Sequence, residues 1–444
     1  MSDGGAADRG EVEAGRTRPG GGTFRSLRLR NFRIYFLGML VSNLGAWMQA
    51  TALGWTVLTE LTAGDAGAMG VNTALNFLPS VLLIGVTGRF VDRFDRRTAL
   101  MITASTLALV SLTIGTLLVL HLMTLPLMFC LTTVAGVAVA FDNPFRQAFV
   151  SDLVHGDQVV NAVSLSSVVF NMARLAGPAL AGVLIAVVDS GWVFMINSVA
   201  FLALIVALLL IRKGELVPRL ATPDAGRMRA AFSYVRRRPD LMLLFALVFV
   251  SSAFAVQFPV YGAAMSVEFH EPSWAFGLLT SCYAVGSLTG ALLVARQQTA
   301  RLRRIVAFAS LVGVAVLVSA GMPDFWLYAA MSALIGYAIV TEMANANAYM
   351  QTHTDRAVRG RLLVIYLAFF TGGSPFGAPL IGWAANAWGA RGAVVMVGIA
   401  ALVSALVGFA WYLGTGRIRR SAAARLGVIV DATRPIPIQS VGGD

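Results

Sequence analysis

The sequence predicts an all-α membrane protein of twelve transmembrane helices, built as two six-helix pseudo-repeats with both termini cytoplasmic. Three observations predict this: apolar runs too long for soluble helices, basic residues confined to alternate loops, and an internal repeat. Of the 444 residues, 57% are apolar and only 13% charged, against about 25% charged in soluble domains. A helix that crosses a bilayer needs about 20 predominantly apolar residues. The run from Phe194 to Ile211 has one Asn, one Ser and no charge, and Val306 to Gly321 is shorter but uncharged. Spans are expected near 34–58, 69–90, 98–120, 123–145, 160–187, 192–211, 241–265, 274–295, 304–321, 324–346, 361–386 and 392–413.

Loop charge orients the spans. The formal charge is +12. A basic balance suggests nucleic acid when it forms a patch on a folded domain. Here it sits in short loops without interleaved aromatics, so no nucleic-acid partner is expected. One side carries Arg25, Arg28, Arg30 and Arg33, then Arg89, Arg93, Arg96 and Arg97, and later clusters over 212–238, 296–304, 356–361 and 417–425. The other carries Glu60, Asp65, Asp189, Glu268, Glu271 and Asp324, with the single basic residue Arg391. Cytoplasmic loops collect Lys and Arg, so both ends of the chain face the cytoplasm. Residues 1–23 have no apolar h-region and read as a disordered cytoplasmic tail rather than a signal peptide. The organisation is then a first six-helix half over 24–211, a basic linker over 212–240, a second half over 241–413, and a cytoplasmic tail over 414–444. The expected setting is the lipid bilayer of a cytoplasmic (inner) membrane, with the chain as a monomer.

The halves repeat one another. Asp142-Asn143-Pro144, followed by Gly177-Pro178 and Gly182, is echoed by Glu342 with Asn345, followed by Gly377-Ala378-Pro379 and Gly382, and Asp142 and Glu342, Gly177 and Gly377, and Gly182 and Gly382 are each 200 apart. Gly85 and Gly88 precede one Arg-rich loop as Gly286 and Gly290 precede another. Two such halves related by an axis along the membrane normal imply a central site between them.

These residues resemble the major facilitator superfamily. Gly88-Arg89-Phe90-Val91-Asp92-Arg93-Phe94-Asp95-Arg96-Arg97 is similar to its signature loop, with Asp95 where the general pattern has Gly. Gly177, Pro178 and Gly182 resemble the fifth-span motif of exporters in that superfamily. Asp142-Asn143-Pro144-Phe145-Arg146-Gln147-Ala148, Asn171-Met172-Ala173-Arg174, Trp47-Met48-Gln49 and Phe77-Leu78-Pro79-Ser80 resemble the enterobactin-exporter-like branch, which includes siderophore, macrolide and drug exporters. The resemblance implies the major facilitator fold over about 24–413. It also implies a charge cluster of Asp92, Arg93, Arg96, Arg97, Asp142 and Arg146 that holds one state of a gate. Asp92 would reach the N-terminus of the eleventh span, where a carboxylate gains about 0.3–1 kcal/mol. The plainer reading of these arginines is topology alone.

Arg174 is the most informative residue, because a charge near mid-membrane costs at least about 2.5 kcal/mol and marks function by default. Ser164, Ser167, Asn171, Arg174 and Pro178 share a helical face. That stripe suits an anionic substrate group or control of a proton site, or else a structural ion pair. Asn43, Trp47, Gln49, Asn72 and Asn76 in the first half, and Gln257, Tyr261, Tyr283 and Asn347 in the second, suit a mostly apolar cavity with few polar anchors. Singly, each reads equally well as an interhelical hydrogen bond. Glu342 is a candidate proton carrier, set against an interfacial carboxylate that mirrors Asp142.

No phosphate-binding loop and no metal motif occurs in the sequence. Cys130 and Cys282 fall in apolar runs and read as buried small side chains. No cofactor is expected. The predicted function is secondary active transport, driven by protons, exporting a small organic molecule. Uptake or lipid movement on the same fold is the alternative. A non-transporting sensor or an intramembrane enzyme needs a mid-depth Ser with Lys or His, or paired Asp, and the sequence offers none.

Overall fold

A computed structural model describes residues 24–217, 228–297 and 299–414, and these are almost entirely helical. The expected tails over 1–23 and beyond 414, and the middle of the linker, lie outside the described residues. The first half comprises α1 (Arg30–Trp55), α2 (Ala66–Arg93), α3 (Arg96–Val119), α4 (Leu125–Asp152), α5 (Val159–Val188) and α6 (Ser190–Leu210). After the short linker helix α7 (Met228–Arg236) come α8 (Pro239–Ala253), α9 (Phe258–Glu268), α10 (Ser273–Ala295), α11 (Leu302–Ala320), α12 (Phe325–Thr352), α13 (Arg356–Gly372) and α14 (Ser374–Gly414). Helices are the form in which a chain in lipid satisfies its own backbone groups.

Among the described residues, ten segments are long and apolar enough to cross a bilayer. The last of them, Val358–Leu413, has 56 residues. At 1.5 Å per residue that is about 84 Å, far beyond a hydrocarbon core of about 30 Å. A non-helical residue, Gly389, divides it. Helix α1 falls outside the ten, because Arg30, Arg33, Ser42, Asn43 and Gln49 dilute its apolar content. The molecule is also apolar outside. Leu109, Leu202, Leu209, Leu406 and Val407 are exposed, as a surface that meets acyl chains requires.

The two halves share backbone detail. Asp189, between α5 and α6, has φ 83° and ψ 159°, and Gly389 has φ 78° and ψ 168°. Positive φ costs an L-residue roughly 1–2 kcal/mol. Glycine meets that demand in one half. In the other, the Asp189 carboxylate accepts a hydrogen bond from the Ser190 amide at 2.7 Å. Packing repeats too. Helix α2 lies on α4 as α10 lies on α12, and α3 on α6 as α11 on the end of α14.

Contact across the halves runs chiefly through two helix pairs, α2 with α14 and α5 with α10, with lesser contacts of α2 with α13 and of α1 and α2 with α9. It is tight toward the end opposite the arginine clusters. A Cβ on Gly182 would fall 3.0 Å from Trp274 Cα and 3.2 Å from Gly277 Cα on α10, and one on Gly382 would meet Gly67 Cα of α2 at 2.8 Å. Toward the arginine end a Cβ on Gly85, Gly88 or Gly360 has open space around it, and α2 meets α13 far less extensively than it meets α14. The halves are therefore less closely joined toward the arginines.

Three features were not foreseen. The seventh apolar run is not one helix but α8 and α9 joined through the 3-10 turn Ala255–Gln257. Pro259 starts α9, where its missing N–H is harmless. Helix α7 forms within the linker, and the Val217 amide donates to the Asp152 carbonyl at 2.9 Å, tying the linker's start to α4. Cys130 is exposed and Cys282 only half-buried, which corrects the expectation that both are buried. An apolar position on a lipid-facing helix is not an interior position.

Candidate substrate cavity

A cavity of about 350 Å³ lies where the halves meet, within the 300–1,000 Å³ typical of small-molecule sites. Trp47, Gln49, Asn72, Asn76 and Arg174 line it from the first half, and Gln257 and Tyr283 from the second. All seven are residues the sequence singled out. The remaining wall is largely apolar, with Phe77, Leu107, Phe201 and Val256 among its members.

Arg174 sits on α5 at the seam. Its Cζ lies 5.8 Å from the Trp47 ring centroid and 5.6 Å from that of Tyr283, inside the about 6 Å reach of a cation–π contact. Its Nη2 donates to Ser287 Oγ at 3.4 Å. The flanking rings are themselves braced. Tyr283 stacks on Phe258 with centroids 4.7 Å apart, and Trp47 meets Phe170 edge-on at 5.6 Å. The motif glycine Gly177 lets α5 lie directly on α1, since a Cβ there would come within 2.6 Å of Trp47 Cβ. Thus Gly177 sets the Trp47–Arg174 spacing, while Gly182, one turn on, serves the contact with α10. Pro178 is buried within α5, and its carbonyl faces Gly277.

The amides are positioned by polar neighbours. Gln49 Oε1 accepts from Ser111 and from Asn197 Nδ2, and Asn197 also donates to Ser111 Oγ at 3.2 Å. Gln257 Nε2 donates to the Ser252 carbonyl at 2.8 Å and to Ser374 Oγ at 2.7 Å, which holds the α8–α9 break against α14. Asn197 and Ser374 line the cavity but were not foreseen. The lone Asn in the run 194–211 was the available signal for the first. Ser374 gave none.

Other expected residues lie elsewhere. Asn43 donates to its own helix at the Met39 carbonyl, 2.9 Å away. Tyr261 is fully buried, donating to the Ala255 carbonyl at 3.0 Å. Asn347 accepts from Gln351 near the arginine end of α12. Asn171 donates to the Ser167 carbonyl at 2.8 Å, on the Arg174 side of α5, where Ser164 and Ser167 are exposed.

The described contacts of the arginine-end cluster run within the first half. Arg96 pairs with Asp152 at 2.6 Å. Arg97 is buried and donates to the Leu208 and Leu209 carbonyls at 2.6 and 3.1 Å, so it caps the C-terminus of α6, where a cation meets the negative end of the helix dipole. Asp142 pairs with Arg146 one turn on and accepts from Thr103 Oγ1 at 2.7 Å, and Arg146 reaches Ser42 Oγ at 3.2 Å. Arg93 and Gly88 are exposed. The Asp92 side chain lies outside the described residues. Glu342, at the position equivalent to Asp142, is fully buried and accepts from Ser251 Oγ at 2.8 and 3.0 Å. Where α4 supplies Arg146, α12 has Ala346, and among the described residues no basic side chain pairs with Glu342.

At the opposite end a polar latch joins the halves. Asn386 Nδ2 donates to Asp65 Oδ1 at 2.6 Å, and Asn386 Oδ1 accepts from the Ala66 amide at 3.0 Å. This hydrogen bond holds the Asp65 carboxyl below its usual value.

Comparison with known proteins agrees with this architecture. The profile of a family described as transmembrane secretion effector matches residues 21–425. The staphyloferrin A transporter of Staphylococcus aureus is 26% identical over 270 residues, covering 59% of this chain and 66% of that one, just under two thirds of its length. The enterobactin exporter EntS of Citrobacter koseri is 22% identical over 360 residues, covering 79% and 84%. Among solved structures, a bacterial homologue of the human lysosomal transporter Spinster, in an inward-facing and unoccupied conformation, superposes with a TM-score of 0.68 at 15% identity, covering 86% and 96%. At that identity the likeness concerns the fold.

Proposed function

Because this chain belongs to the transmembrane secretion effector family of major facilitator transporters, we propose that it exports a small organic molecule by alternating access, coupled to protons. The observation that carries this reading is the cavity at the seam, lined from both halves and holding one unneutralised arginine. A site that both halves share changes its access when they rock against each other. The less closely joined arginine end and the latched opposite end then correspond to a cytoplasm-facing state. In this reading there are twelve spans, counting α1, the α8–α9 pair as one, and the two parts of the long C-terminal segment on either side of Gly389. Both termini lie in the cytoplasm and the chain sits in the cytoplasmic membrane.

Proton coupling is assigned to Glu342. A carboxylate buried beside a hydroxyl, with no cation, is stable when it holds a proton. Rocking that exposes it to water favours the charged form, so the proton leaves in one state and returns in the other. Among the gate residues, Arg93 is exposed, and it is proposed, with Asp92, to meet α13 when the arginine end closes. The test is efflux of preloaded dyes and antibiotics from cells with and without expression. Export abolished by a protonophore supports the reading, and export that persists after the gradient collapses rejects proton drive.

A further inference from the structure

The cavity carries a charge signature that narrows the substrate class. Among the residues lining it, Arg174 is the only charged one. Three other arginines with little exposure each have a carboxylate: Arg96 has Asp152, Arg146 has Asp142, and Arg238 has Asp240 at 2.8 Å. Arg97 has two helix-end carbonyls. Arg174 has neither. Its neutral neighbours are two ring faces, the Ser287 hydroxyl at 3.4 Å and the Tyr283 hydroxyl, which leave part of a guanidinium's five donors unused. A charge at this depth is costly unless paired.

Resting on the transport reading above, we infer that the cavity selects amphipathic organic anions. A carboxylate or similar planar oxyanion seats on Arg174, and a flat apolar body lies against Trp47 and Phe77. A guanidinium fork matches a two-oxygen anion in a way a point charge does not. The ring faces of Trp47 and Tyr283 hold the fork in place before the ligand arrives, so little side-chain freedom is lost on binding. A cationic amphiphile of equal shape meets an uncompensated like charge in a low-dielectric space, and selection by repulsion is as effective as selection by attraction. Trp47 belongs to the first half, and Tyr283 and Ser287 to the second. The anion therefore binds at the seam and competes with Ser287 for the same guanidinium. Occupancy thereby loosens a tie between the halves.

The experiment uses the purified full chain in lipid nanodiscs with two probes of matched body, 2-naphthoate and 2-naphthylmethylammonium. Equilibrium binding is expected to favour the naphthoate by at least about tenfold, the scale of a like-charge penalty. Arg174→Gln abolishes the preference, and Arg174→Lys keeps its sign but weakens binding. Asn76→Asp, which places an acid in the cavity without touching Arg174, shifts the preference toward the amine and serves if Arg174→Gln does not fold. Equal or tighter binding of the amine by the wild type overturns the inference, as does an unchanged preference in Arg174→Gln. Naphthoate binding without movement across proteoliposomes upholds the anion site and overturns the transport reading. Transport indifferent to charge does the reverse.

Discussion

Asp142 and Glu342 stand at equivalent positions, yet one has an arginine and the other a serine. The difference predicts opposite responses to substitution. Arg146→Met leaves Asp142 buried without its cation, which costs about 3–5 kcal/mol, and Asp142→Asn with Arg146→Met recovers most of it; unfolding in detergent measures both. If the double variant is no more stable than the single, the pair is not what the arginine serves. Glu342→Gln keeps a hydrogen-bonding partner for Ser251 and mimics the protonated carboxyl of the proposed cycle. It is expected to fold, to bind substrate normally and to lose export driven by a pH gradient, and an unchanged response to the gradient would refute the proton assignment. At this scale the sequence was most legible where a residue type was conspicuous. A charge in an apolar run exposes Arg174, and an aromatic grouped with Asn43 and Gln49 exposes Trp47. Asn43, Tyr261 and Asn347 are chemically similar to the cavity residues, and helix rotation, with depth for Asn347, separates them. Rotation depends on packing that a single run of apolar letters does not encode. Arg97 misled in the same way, since a basic residue in a signature loop does not reveal which helix end it caps.

The elements are held by close backbone approach where side chains are missing, and by polar ties where helices end. A methyl at Gly389 has room but not the conformation: Gly389→Ala is expected to destabilise by about 1–2 kcal/mol through its positive φ, read as a lower unfolding midpoint. No change would mean the turn relaxes. Gly182→Val pushes into Trp274 and Gly277 and is expected to part α5 from α10, biasing the molecule away from the state described here. The Asp65–Asn386 latch has a pH sign. A carboxyl whose pKa is depressed by a contact strengthens that contact above its free value, near 3.9, and the gain is lost as pH falls through the depressed one. The latch is thus at full strength at neutral pH and weakens only in acid below the ordinary Asp range. Asp65→Asn removes that acid response, and an identical acid response in the variant would show that another group controls this end. Element count and order were largely readable from apolar runs and loop charge. The break between α8 and α9 was not, although Pro259 marked it, because a single proline in a membrane helix is more often accommodated than obeyed. Pro79, Pro144, Pro178 and Pro379 all lie inside continuous helices here.

At the scale of the molecule, the repeat predicts the architecture and its departures predict the mechanism. Gly177 and Gly377 each seat a helix against the first helix of their own half, while Gly182 and Gly382 each seat it against the other half. Both interface contacts lie toward the latched end, so the proposed rocking would pivot there and open or close the arginine end. In the proposed reading, the exceptions to symmetry, Arg174 in one half and Glu342 without a basic partner among the described residues of the other, put substrate and proton on opposite sides of the seam. Coupling then follows from geometry, since one rocking motion changes the surroundings of both. The most direct test is a pair of distance measurements by spin labels in a variant lacking Cys130 and Cys282. One pair, at Val160 and Leu292, spans the arginine ends of α5 and α10; the other, at Leu122 and Trp326, spans the opposite end, and all four residues are exposed. As pH or ligand is varied, the account predicts that one distance shortens as the other lengthens. Two distances that move together, or that never move, would contradict it.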